Sequence, residues 1–198
     1  MEVTPYKELR AKLRTGDMIS CHGTKGFSRL ISFATKKSAT HVGLIVVLDD
    51  INRVIVVESV ESKGVRAIGL SKYINNYDNK GNPYSGEIYI LRHKDFAKQL
   101  KSNPEKLEEM LTFAIDSMGY PYSFKQIVKL VYRLVFKKAI SKLLASERME
   151  WICSVLLGDF YEVFGLIVPQ EEEGKGASYL IPGDYQVGEI FEMIGRLK

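Results

Sequence analysis

Two apolar runs joined by a tight turn, with two helical stripes far downstream, predict an α+β domain in which an antiparallel sheet carries packed helices. The runs are 42–47 and 54–57, rich in valine and isoleucine, with Asp49, Asp50, Ile51 and Asn52 between them. The stripes are Leu107, Met110, Leu111, Ala114 and Met118, and later the apolar side of 151–164. A third observation places the chemistry. His41 opens the first run and Glu58 closes the second. A hairpin sets the start of one strand beside the end of the next, so antiparallel pairing brings this histidine and this carboxylate into reach.

Taken in order, residues 6–13 read as a short leading helix and residues 14–17 as a turn. Residues 18–21 form a first strand, which Gly23 and Gly26 break. Phe27, Leu30, Ile31 and Ala34 then recur at i, i+3, i+4, i+7, giving a short amphipathic helix. After the hairpin, residues 65–68 read as a third short strand and 70–74 as a turn of helix. The Asn-, Gly- and Asp-rich stretch 75–86 reads as a loop, and 87–92 as a further strand. Asn103 and Pro104 suit a helix start, and Gly119 suits a helix end. A helix begins near Trp151 and stops at Gly165, with Cys153 in its first turn. A turn at 179–184 and a last strand at 189–193 complete the chain. His93 reads as surface and Cys21 as buried structure.

The 198 residues fit one domain spanning 1–198, with a core of ordinary size. A formal charge of +4 is mildly basic, and no nucleic-acid-binding signature accompanies it, so no nucleic-acid partner is expected. Two cysteines make no disulfide framework and three histidines make no metal-ligand cluster, so neither cofactor nor metal is expected. Met1 leads straight into a charged amphipathic segment. That predicts no signal peptide and a cytoplasmic location, with release or export by another route left open. Residues 124–146 stand apart as a basic helical insertion. Ile127, Leu130, Val131 and Leu134 line one side, and Lys125, Lys129, Arg133 and Lys137 recur on another. The pattern suits either a solvated helix face or a surface for an anionic membrane or polymer.

A thiol attacks as its thiolate, an imidazole beside it takes the proton and later gives it to the leaving group, and a carboxylate orients the ring. Cys153, His41 and Glu58 supply those parts, each at the end of a regular element. Unpaired N–H groups and the helix dipole favour a thiolate at Cys153. The same residues also fit a structural reading, with a cysteine packed as a small hydrophobe, a histidine starting a strand and a solvated glutamate. The backbone N–H of Cys153 would form half of an oxyanion hole, with His22 as a candidate second donor and Tyr120 and Tyr122 as candidate cleft-lining residues.

Gly16-Asp17, Thr40-His41-Val42-Gly43, Glu58, Met118-Gly119-Tyr120-Pro121-Tyr122 and Cys153-Ser154 occur in that order. This order resembles the NlpC/P60 superfamily of papain-like enzymes, and more narrowly its circularly permuted branch of YiiX-like and poxvirus-related proteins. The resemblance runs from about residue 13 to about residue 184. It implies a papain-like fold, an antiparallel and barrel-like sheet with helices on one side, in which the histidine strands precede the cysteine helix. It implies Cys153 as nucleophile, His41 as base and Glu58 as its orienting partner. The expected activity is hydrolysis of an amide bond, in a cell-wall peptide or related amide, through an acyl-enzyme. The branch commonly has an acidic residue after the Cys-Ser pair, where this chain has Val155. Two other readings stay open: hydrolysis or transfer on lipid esters or amides, and a non-catalytic module that binds ligand in the same cleft.

Overall fold

The computed structural model describes residues 2–24, 27–123, 152–169 and 180–197. The basic insertion with Lys125, Lys129, Arg133 and Lys137 lies outside these residues. The elements in order are α1 (Tyr6–Arg10), β1 (Met18–His22), α2 (Phe27–Thr35), β2 (His41–Leu48), β3 (Arg53–Val60), β4 (Gly64–Gly69), α3 (Leu70–Asn75), β5 (Glu87–His93), α4 (Phe96–Ser102), α5 (Glu105–Asp116), α6 (Cys153–Phe164) and β6 (Phe191–Arg196). The class is α+β. The strands form one antiparallel sheet in the order β4-β3-β2-β1-β5-β6.

Val42, Gly43, Leu44, Ile45 and Val46 are all buried, so the sheet centre needs cover on both faces. One face packs Met18, Val42, Leu44, Val57 and Leu91 against α4, α5 and α6. The other packs Ile19, Ile45, Val56 and Ile90 against Leu9 and Leu13 near α1 and Leu70 and Tyr73 of α3. This corrects the expectation of helices on one side. The short helices are legible in the sequence, but only the double burial of the central strands shows that they close the second face. The sheet is also open rather than barrel-like, with β4 and β6 as its two ends.

Other departures are local. Helix α4, with little apolar signal beyond Phe96 and Leu100, was not expected. It uses Asn103 as its own C-terminal cap, so α5 begins at Glu105 without a side-chain cap. Strand β6 runs Phe191–Arg196 rather than 189–193, and Arg196 reaches Glu87 across the β5 pairing at 2.5 Å. His93 is 2% exposed, not on the surface. Its Nε2–H donates to the Ile167 carbonyl at 2.9 Å while Nδ1 accepts the Asp95 N–H, which fixes a neutral tautomer. The Gly16-Asp17 pair is structural: Asp17 holds Arg92 at 2.6 and 2.9 Å, and the Tyr161 hydroxyl donates to the Gly16 carbonyl.

The entry to β4 positions the segment that reaches the site. Val65 N–H donates to the Tyr120 carbonyl and Gly119 N–H to the Val65 carbonyl, both at 2.9 Å. Gly64 has φ +66°, and a Cβ there would stand 2.2 Å from the Tyr120 carbonyl oxygen. Gly64→Ala is therefore expected to destabilise the fold by about 2 kcal/mol, from left-handed strain and a backbone clash together. Urea unfolding checks this, and an unchanged midpoint would contradict it.

Candidate active site

Strand β2 delivers His41 to the site, and the residues around it fix its approach. Thr40 donates its N–H to the Cys21 carbonyl at 2.9 Å, and its hydroxyl accepts the Gly23 N–H at 3.0 Å. Leu44 pairs with Val57, so the next step along sets Gly43 against Glu58. A Cβ on Gly43 would come within 2.7 Å of Val56 Cγ1 and 3.2 Å of Glu58 Cβ. The bare backbone at Gly43 thus gives the Glu58 side chain room to run along the sheet toward His41. The hairpin brings the two together: His41 Nε2 lies 2.5 Å from Glu58 Oε2.

Glu58 is buried, with its side chain fully enclosed. A buried carboxylate is tolerated when its lone pairs are taken, and here they are. Arg66, directly opposite in the β3–β4 register, donates from Nε at 2.9 Å and approaches with Nη2 at 2.7 Å, both on Oε1. The Tyr73 hydroxyl of α3 donates to Oε2, the oxygen that His41 also holds. Burial pushes the Glu58 pKa up, but His41, Arg66 and Tyr73 outweigh it and hold the carboxyl below its ordinary range. Burial also keeps Tyr73 a phenol, with the Glu58 charge acting in the same direction, so it remains a donor.

Cys153 is the first residue of α6 and is 5% exposed. It lines the same cleft as His41, close enough for the charges of the two side chains to act on each other. With Nε2 on the carboxylate, Nδ1 is the ring nitrogen left for the sulfur. Burial alone would lower the imidazole pKa. The charges of Cys153 and Glu58, with the hydrogen bond to Glu58, override it and raise the pKa to about 10. Chemically, the arrangement is a thiol at a helix N-terminus, an imidazole against it and an ionised carboxylate behind the imidazole.

His41 and Cys153 open onto a cleft of about 610 Å³ whose walls include Ile31, Tyr77, Pro83, Tyr84 and Tyr122. Tyr122 faces the thiol closely enough that burial, then the charges of Cys153 and Glu61, raise its pKa. Tyr120 lies elsewhere, in a depression with Phe113, Asp159 and Glu162. His22 also lies apart from the cleft. It is half-buried, packs against Tyr89 with ring centroids 4.7 Å apart and planes tilted by 46°, and lines a separate depression with Lys37 and Tyr185. Cys21 is fully buried, and burial pushes its thiol pKa up. Val155 is buried in the core beside Leu156 and Leu157.

Sequence reasoning missed Arg66 and Tyr73. A signal for Arg66 existed: a Gly64 turn of the right length sets a basic residue across from Glu58. Tyr73 had none, because its reach depends on where α3 lands.

No protein-family model matches the chain, and no curated protein matches it in sequence. Among solved structures, the fold is similar to the crystal structure of metalloprotein yiiX from Escherichia coli O157:H7, DUF1105. The TM-score is 0.53 at 19% identity, over 79% of this chain and 69% of that one. At that identity the likeness is one of fold. Among the described residues of this chain, no group of three or more His, Cys, Asp and Glu residues is placed to hold a metal ion, and no helix is long and apolar enough to cross a membrane.

Proposed function

We propose that the chain is a permuted papain-like thiol hydrolase that cleaves amide bonds through an acyl-enzyme on Cys153. The observation that carries this reading is a single imidazole that shares its cleft with Cys153 and is held from behind, at 2.5 Å, by the buried carboxylate of Glu58. His41 takes the thiol proton. The sulfur attacks the substrate carbonyl, and the resulting oxyanion meets the N–H of Cys153 at the start of α6. His41 then gives its proton to the departing amine, and water attacks the thioester with His41 as base. Tyr122 lines the substrate side, whereas Tyr120 and His22 stand outside the cleft and have no part in this reading. Cell-wall peptides are the first substrates to try.

The apolar wall of Ile31, Tyr77, Pro83, Tyr84 and Tyr122 favours a second reading, in which the acyl group is a fatty chain and the substrate a lipid amide or ester. The basic residues Lys125, Lys129, Arg133 and Lys137 would then serve an anionic membrane. Incubation with muropeptides and with lipid amides, acid quench and mass spectrometry test both. An acyl adduct on Cys153, lost along with turnover in Cys153→Ala, is expected. Turnover that survives Cys153→Ala would overturn the proposal.

A further inference from the structure

We propose that Arg66 and Tyr73 are positioning residues for the Cys153–His41 pair, acting through Glu58 rather than on substrate. The proposal rests on the thiol-hydrolase reading of the site and extends its three residues to a five-residue network.

The hydrogen bonds divide the carboxylate between three donors. Oε1 takes the Arg66 guanidinium at 2.7 and 2.9 Å, and Oε2 takes both the Tyr73 hydroxyl and His41 Nε2. A carboxylate held at both oxygens from two elements cannot rotate away when the imidazole gains or loses its proton. The three donors come from three different elements, β4, α3 and β2, so the clamp forms only when the sheet and its second-face helix are in place. Charge balance is the second effect. With Arg66 present, Glu58 and its clamp are neutral overall, and the thiolate–imidazolium pair sits beside no net charge. Without Arg66, an uncompensated carboxylate would oppose the thiolate.

The titratable and charged groups facing this network are, on the sheet, Cys21 of β1, His41 of β2 and Arg66 of β4, with Glu61 just after β3. From the elements packed on it they are Tyr73 of α3, Tyr77 just after it, Tyr122, Cys153 of α6 and Tyr185. Burial raises the pKa of Cys21 and of each of the tyrosines. Arg66 is therefore the cation within this set that does not titrate, and it also lies 6.0 Å from the centroid of the Tyr77 ring in the cleft wall.

The test is the rate of iodoacetamide alkylation at Cys153 against pH, read by peptide mass spectrometry, in wild type, Arg66→Met, Arg66→Lys and Tyr73→Phe. Circular dichroism confirms folding in each. Arg66→Met keeps the stem and removes the charge. It should move the acid limb of the profile upward by about one pH unit, so that labelling at pH 6 slows about tenfold. Tyr73→Phe removes only a hydroxyl and should move the limb the same way, by about threefold in rate. Arg66→Lys restores the charge and should restore most of the limb. Variants that melt earlier but keep the wild-type profile would overturn the proposal and leave the two residues as structural supports. A wild type with no low-pH limb would overturn the thiol-hydrolase reading as well.

Discussion

Glu58→Gln is expected to cost about 3–5 kcal/mol of stability and to abolish the low-pH reactivity of Cys153. The cost arises because the substitution leaves its partners buried rather than because an ion pair is intrinsically strong. Arg66 would keep its charge opposite a neutral amide, and the amide has one acceptor oxygen where the carboxylate has two. His41, Tyr73 and Arg66 now share both oxygens of Glu58, so at least one donor would go unpaired. Urea unfolding at pH 7 measures the loss. A change under 1 kcal/mol would mean that the carboxylate is not the anchor described here.

The second large effect is in the titration of His41. The raised pKa of about 10 predicts that the ring stays an imidazolium well above pH 8, when an ordinary histidine has lost its proton near 6.5. Histidine ring NMR checks this directly, with His22 as an internal contrast because burial lowers its pKa. The sign for stability follows. His41 has a folded pKa above its unfolded one, so its contribution is complete below about 6.5 and is lost as pH rises through about 10. Glu58 has the opposite shift. Its contribution is present above its unfolded value and is lost as pH falls through the lower folded one. A His41 ring that titrates near 6.5 in the folded protein would contradict both statements.

Much of this arrangement was legible because it depends on short-range rules. The hairpin between β2 and β3 follows from two β-branched runs and a turn, and its antiparallel sense alone puts His41 near Glu58. A helix with Cys153 in its first turn follows from the apolar stripe and the glycine that ends it, although α6 starts at Cys153 rather than near Trp151. What was not legible depends on tertiary placement. The second helical layer needs both faces of β2 to be buried, which a run of consecutive valines and isoleucines does not tell apart from a one-faced strand. His22 and Tyr120 looked suitable by residue type. Strand parity turns His22 to the face opposite His41, and the 119–121 turn carries Tyr122 rather than Tyr120 into the cleft. The Tyr73 contact depends on how α3 returns under the sheet. His93 reads as surface by its charged neighbours, yet the Ile167 carbonyl after α6 closes over it.

The most direct test of the central claim is alkylation of Cys153 by iodoacetamide across pH 4–10, in wild type and in His41→Ala. If His41 pairs with Cys153 as described, wild type reacts at lower pH than the variant, which loses that low-pH limb. Profiles that coincide, or a Cys153 that is silent at every pH, would contradict the pairing of thiol and imidazole and with it the enzymatic reading of the cleft.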